Sequence, residues 1–318
     1  MNLRDTLLGL IIVVVWGFNF VVIAWGLEGM PPLLLGGLRF LLVAVLGCWF
    51  VARPDVPLRW LLAYGLTLGF AQFALLFTAM HLGMPAGLAS LVLQAQAFFT
   101  LLLASFWLKE EIRSYQLLAI MIAGSGLVMI GWGDVWFSST EIIAEDVQQS
   151  MTAIGFGLTI AAAIAWAFGN VVNREIHQRG FNKTKNGAIS LVVWSAWIPP
   201  LPFFALSLYL EGPLIENALL NIGFSSIFAL VYLALIATIL GYSLWGYLLS
   251  SYPVSQVAPL TLGVPVVGLS CAALLLDEQL SSMQWLGILL VLAGLGVNMR
   301  GPHVMRWLSG LSKASAVK

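Results

Sequence analysis

The chain has 318 residues, 60% of them hydrophobic and only 9% charged, with 14 Lys and Arg balancing 14 Asp and Glu. Soluble domains carry about 25% charged residues, so this composition excludes an ordinary soluble domain and points to a lipid bilayer. The zero net charge, with no basic cluster interleaved with aromatics, excludes the electrostatic footprint of a nucleic-acid partner.

The first apolar run, Leu7–Trp25, has no charged residue over roughly the 20 positions that cross ~30 Å of hydrocarbon. Arg4 precedes it as in a signal peptide, but the run is long and no small-residue cleavage site follows, so it reads as a retained first helix. Nine further spans follow with short connections: Leu33–Val51, Trp60–Met80, Pro85–Leu108, Tyr115–Gly133, Met151–Asn173, Ala188–Leu210, Ser226–Leu249, Pro253–Leu276 and Gln284–Met299. The sequence therefore predicts an all-α integral membrane protein of ten transmembrane helices. Cys48 and Cys271 fall inside these spans without a metal-ligand or CxxC pattern, which is the setting of packing cysteines. Small residues at i and i+4, such as Gly65 and Gly69, mark seams where helix backbones approach closely.

The chain contains itself twice. A constant shift of 168 residues aligns Pro85 with Pro253, Ala104 with Ala272, Leu108 with Leu276 and Glu110 with Glu278. The same shift aligns Tyr64 with Tyr232, and Ser114, Gln116, Gly126 and Leu127 with Ser282, Gln284, Gly294 and Leu295. WGFNFVV at Trp16–Val22 and WAFGNVV at Trp166–Val172 echo each other at a shift of 150, so the spacing stretches in the second and seventh spans. Repeated apolar spans are a transporter signature. Each half has five spans, an odd number, so the second half enters the bilayer from the opposite side and the repeats are inverted. The expected organisation is a first repeat over 1–133, an acidic outer loop over 134–150, a second repeat over 151–299 and a basic tail over 300–318.

Orientation follows from the positive charges, which cytoplasmic loops retain. With the N-terminus inside, Arg4, Arg53, Arg59, Lys109, Arg113, Arg174, Arg179, Lys183, Lys185, Arg300, Arg306, Lys313 and Lys318 all fall on the cytoplasmic side. The outer segments then carry acids only, such as Glu141, Glu145, Asp146, Glu211 and Glu216. Both termini are expected in the cytoplasm.

Arg39 is the charged residue placed well inside a span, where burial costs roughly 2.5 to 3.5 kcal/mol or more. Asn19 and Arg39 each lie six residues from the outer end of their spans, about 9 Å deep at 1.5 Å per residue, so the two can meet. Two readings stay open: Arg39 snorkelling outward or bonding Asn19 and backbone carbonyls as glue, or Arg39 as the docking point for a substrate carboxylate, which a guanidinium suits. Gln94 and Gln96 are two positions apart, about 200° around an α-helix, so only one is expected to line a cavity. Gln94, sharing a face with Ser90, is the favoured one. Pro265 cannot donate to the carbonyl of Thr261, which is freed beside an expected kink in the ninth span. Trp16, Gln72, Trp166, Asn170 and Tyr242 are further candidates to line the central space. His81, at the edge of the third span, reads as interfacial. No Asp or Glu lies deep in a span, so a buried carboxylate relay is not visible, and the absence of paired acids, a Ser/His constellation or a metal cluster argues against an enzyme.

WGFNFVV, GLRF at Gly37–Phe40, MPAGLASLVLQAQAFF at Met84–Phe99 and LDEQL at Leu276–Leu280 together resemble the EamA family of the drug/metabolite transporter superfamily, over nearly the whole chain. LASLVLQAQAFF and VAPLTLGVPVVGL, at Val257–Leu269, resemble in particular family members that export O-acetylserine and cysteine from bacteria. The resemblance implies ten helices in two inverted five-helix repeats, a central cavity, and export of amino acids or related small metabolites across an inner membrane without a cofactor. The alternative within transport is a broad facilitator of metabolites or drugs without proton coupling. Substrate identity, coupling ion and oligomeric state have no signature in the sequence.

Overall fold

The computed structural model describes residues 1–137, 151–181 and 187–315. Glu141, Glu145, Asp146, Lys183, Lys185 and Lys318 lie outside the described residues, as do the side chains of Arg306 and Lys313. Among the described residues every regular element is helical, and nine helices are long and apolar enough to cross a membrane, with Pro32–Gly47 a shorter apolar tenth. The principal helices are α1 (Leu3–Gly29), α2 (Pro32–Gly47), α3 (Leu58–His81), α4 (Ala86–Leu108), α5 (Ser114–Phe137), α6 (Ala153–Gln178), α7 (Gly187–Leu210), α8 (Phe224–Ser251), α9 (Ala258–Leu275) and α10 (Ser282–Ser315).

Helix starts are set by side chains that take up the free N–H groups of a first turn. Asn2 accepts from Asp5 N–H at 2.8 Å to cap α1, and Thr152 accepts from Gly155 N–H at 3.0 Å to cap α6. Two starts that follow prolines are instead served from across the bundle. Glu211, just past α7, accepts from Leu33 and Leu34 N–H at 2.9 and 3.1 Å and from the Ser207 hydroxyl at 2.7 Å, tying the end of α7 to the start of α2. Glu278, between α9 and α10, accepts from Ala86 and Gly87 N–H at 2.6 and 2.9 Å at the start of α4. A carboxylate also suits the positive end of the helix dipole. Glu211 is therefore a buried structural group rather than a freely solvated outer acid.

α1 runs through the centre, with Val21, Val22 and Ile23 fully buried. α5 and α10 pack on each other so closely that a Cβ on Gly126 would lie 2.6 Å from Gly287 O, and one on Gly294 would lie 2.8 Å from Ala119 O. Gly65 and Gly69 form the expected seam, since a Cβ on either would strike Ile198 or Pro199 of α7. That seam coincides with a break in α7 between Ser195 and Pro200, where Pro199 and Pro200 interrupt the hydrogen-bond ladder.

Four helices change pitch, three of them near their middles and one at its start. α3 is π-helical over Gly65–Ala71 and α8 over Tyr232–Leu240. α4 tightens to a 3-10 turn at Leu93–Ala95, and α9 begins with one at Ala258–Leu262. The ninth span is thus three pieces, Val254–Val257, Ala258–Leu262 and Gly263–Leu275, rather than one kinked helix. The second helix stops at Gly47, short of Val51, and the tenth continues past Met299 to Ser315.

Candidate functional site

The pitch changes surround a cavity of about 400 Å³. Asn19, Arg39, Gln72, Gln94, Trp166, Asn170 and Tyr242 all line it, together with Trp16. Residues near helix ends, Asn173 and His177 of α6, Ala188 of α7 and Leu249 of α8, line it too, so it extends toward the end of the bundle where α6 stops and α7 starts. His81 is exposed at the end of α3 and does not line the cavity.

Arg39 is 4% exposed. Its Nη2 donates to Thr238 Oγ1 at 3.0 Å, and its Cζ lies 4.1 Å from the ring centre of Phe73, with Phe40 and Phe77 farther off. Arg39 takes part in no salt bridge among the described residues, and its Nε and Nη1 have no hydrogen-bond partner. The bond to Asn19 that the first reading of Arg39 includes is not formed: Asn19 lines the same cavity, but its Oδ1 is buried and has no partner among the described residues. Gln72 Oε1 is likewise unpartnered in a residue 3% exposed. Buried polar groups are overwhelmingly hydrogen-bonded, so three unsatisfied ones around one space mark a place built for something else.

The π segment of α8 explains how Thr238 comes to hold Arg39. Its hydroxyl donates to Leu233 O at 2.8 Å, five residues back, and its lone pair faces the guanidinium. The sequence offered a weak signal here, because a threonine in an apolar run usually bonds its own helix and nothing more. The same widened turn frees Ala237 O to accept from Trp16 Nε1–H at 3.0 Å. Trp16 then packs on Tyr242 and Trp245 at centroid distances of 5.3 and 5.4 Å, forming an aromatic wall.

Both glutamines of α4 reach the cavity, contrary to the expectation from an ideal helix. The 3-10 turn at Leu93–Ala95 advances about 120° per residue, which brings the two side chains nearer to one side, and the cavity wraps around that side. Gln94 Nε2 donates to Thr261 O at 3.4 Å, the carbonyl that Pro265 leaves free. Gln96 Oε1 and Thr100 Oγ1 both accept from Asn170 Nδ2, at 2.7 and 3.1 Å. Gln94 thus reaches α9 and Gln96 reaches α6.

An accessibility experiment follows from this geometry. In a background with Cys48 and Cys271 changed to serine, cysteines at Asn19 and Gln94 are expected to react with a charged thiol reagent. A cysteine at Leu118, which is 47% exposed on the outer face of α5, is expected to stay unreacted in the bilayer because hydrocarbon covers it. Equal protection at all three positions would remove the aqueous cavity from this account.

A membrane-embedded helical bundle enclosing a polar, partly unsatisfied cavity is the architecture of a solute carrier. Residues 4–132 and 153–300 match the EamA-like transporter family, and the chain belongs to that family. It is 49% identical over 317 residues, 99% of this chain and 100% of the relative, to a probable amino-acid metabolite efflux pump of Escherichia coli K12. A protein of the same description from Salmonella typhimurium LT2 is 52% identical over 307 residues, covering 96% of this chain and 98% of that one. A solved crystal structure sharing only 17% identity superposes with a TM-score of 0.57, covering 93% of this chain and 98% of its own, which is a likeness of fold. The chain is a transporter and not an enzyme.

Proposed function

We propose that the protein exports amino acids or related small metabolites across a bacterial inner membrane, exposing its central cavity alternately to either side. The observation that carries this reading is a buried arginine without an acidic partner among the described residues, facing a cavity of small-solute size. The names of the two relatives support the substrate class. Asn19, Arg39, Gln72, Gln94, Trp166, Asn170 and Tyr242 are the proposed substrate contacts.

Ten spans in two inverted five-helix repeats, over 1–133 and 151–299, are part of the proposal. Counterpart irregularities support it: the π segments begin beside Tyr64 and at Tyr232, which are 168 residues apart, and left-handed Lys109 and Asp277 are 168 apart as well. The close contacts of Gly126 with Gly287 and of Gly294 with Ala119 exchange places under the same shift. Reciprocity of that kind is what a two-fold relation produces. Broken helices at paired positions are also where transporters bind their substrates.

The test is flux of labelled amino acids from proteoliposomes, with and without a pH gradient. Amino-acid flux is expected, and its dependence on the gradient separates proton coupling from facilitation. Movement of other solutes with no amino-acid flux would overturn the reading. Orientation is checked by fusions at the termini: both are expected in the cytoplasm, so an alkaline phosphatase fused after Lys318 should be inactive. An active C-terminal phosphatase would break the ten-span scheme.

A further inference from the structure

The unsatisfied atoms of the residues lining the cavity are of two opposite kinds. Arg39 Nε and Nη1 are donors on a cation, whereas Asn19 Oδ1 and Gln72 Oε1 are acceptors on neutral amides. All three residues are at least nine-tenths buried and all three line the same space. None satisfies another, although buried donors and acceptors on residues that line one cavity would ordinarily be drawn together.

Resting on the exporter reading above, we infer that the cavity recognises its cargo as a zwitterion, with Arg39 holding the α-carboxylate and Asn19 and Gln72 accepting from the α-ammonium. The chemistry of each half favours this assignment. A carboxylate only accepts and an ammonium only donates, which matches the free donors of Arg39 and the free oxygens of the two amides. Neutral amides are the suitable acceptors here, because an Asp or Glu beside Arg39 would pair with it and close the site to a substrate carboxylate. Phe73 packs on the guanidinium and Thr238 holds Nη2, so the direction of the cation is set before a ligand arrives. A cationic amine without a carboxylate would meet the charge of Arg39 unscreened. A dicarboxylate would place its second anion against amide oxygens. The substrate side chain is then left to the aromatic wall of Trp16, Tyr242 and Trp245 and to Trp166, which also lines the cavity.

The test is competition against flux of labelled L-cysteine, L-leucine and L-phenylalanine in proteoliposomes. Each amino acid is compared with its own amine (cysteamine, isopentylamine, phenethylamine) and its own acid (3-mercaptopropionate, 4-methylpentanoate, 3-phenylpropionate). For whichever amino acid is carried, both truncated forms are expected to compete at least about tenfold more weakly than the intact amino acid, since each forfeits a charge-assisted set of hydrogen bonds. The variants should cross over. Arg39→Gln is expected to stop discriminating against the amine, while Asn19→Leu and Gln72→Met are expected to stop discriminating against the acid, with monodisperse yield as the folding control. If these variants fail to fold, the wild-type comparison still decides. Amino-acid flux that the amine and the acid inhibit as well as the amino acid does would overturn the zwitterion assignment and leave the exporter reading standing. Flux of none of the three amino acids, nor of any other in a complete labelled panel, would overturn the exporter reading and this assignment with it.

Discussion

An Arg39→Met variant is expected to melt a few degrees higher than the wild type and to carry amino acids about 100-fold more slowly. Arg39 is almost fully buried and, among the described residues, has a single hydrogen bond, to Thr238. Burying its charge costs roughly 2.5 to 3.5 kcal/mol or more. The bond to Thr238 and the stack on Phe73 together return about the same amount. Methionine carries no such cost, fills similar space and gains about 1.5 to 3 kcal/mol from burial. It also strands nothing, because the Thr238 hydroxyl still donates to Leu233 O. The result would be a more stable protein that no longer works, as when a functional charge is held at the expense of stability. Arg39→Lys keeps the charge but loses the planar donor set, so its flux should fall between the two. The measurements are thermal unfolding in detergent and flux per folded molecule for a zwitterionic and an uncharged solute. A lower melting temperature, with both solutes slowed alike, would mean that Arg39 is structural glue.

Glu211→Ala is expected to have the opposite profile: a large loss of stability with little change in flux per folded molecule. The residue is 7% exposed, and its carboxylate receives two backbone N–H groups at the start of α2 and the Ser207 hydroxyl from α7. Losing a cap costs about 1 kcal/mol, and each buried donor left without a partner costs about 1–3 kcal/mol more. A total of roughly 3 kcal/mol corresponds to a fall of about 5 °C in Tm for a chain of this size. Glu211→Gln retains one acceptor oxygen and should lose less. Because Glu211 does not line the cavity, molecules that remain folded should carry substrate at near the normal rate. Slow flux at an unchanged Tm would refute the structural role.

The positions of the helices were legible in the sequence because a bilayer demands long apolar runs, and α1 or α6 could be drawn from composition alone. The residues of the cavity were legible for the same reason in reverse. A polar side chain such as Asn19, Arg39 or Gln72 in an apolar run has to be accounted for, and the cavity is where these three meet. What the sequence did not disclose is pitch. Pro265 announces the disruption of α9, but no proline lies within Gly65–Ala71 or Tyr232–Leu240, so no local breaker announces their widened turns. With pitch hidden, Thr238 was not singled out, and Gln94 and Gln96 looked mutually exclusive. The aromatic bed beneath Arg39 was hidden differently, since Phe73 and Phe77 lie on another helix and only the folded chain puts them there.

The carboxyl that caps α4 also makes the junction between α4 and the α9–α10 connection a proton-binding element. Burial pushes the Glu278 carboxyl above the usual carboxylate range, although the N–H groups of Gly87 and Ala86 pull it back down. When that junction parts and water reaches the carboxyl, the group returns to its ordinary affinity for protons. The joined arrangement therefore binds a proton more readily than the parted one, and by linkage a proton favours joining. Its preference is fullest below the ordinary carboxylate range and is lost as pH rises through the raised value. Glu110, its counterpart 168 residues earlier, instead pairs with Arg174 in a contact where both side chains are about four-tenths exposed. The two counterpart acids thus serve their connections differently, Glu278 by capping a helix start and Glu110 by pairing with an arginine.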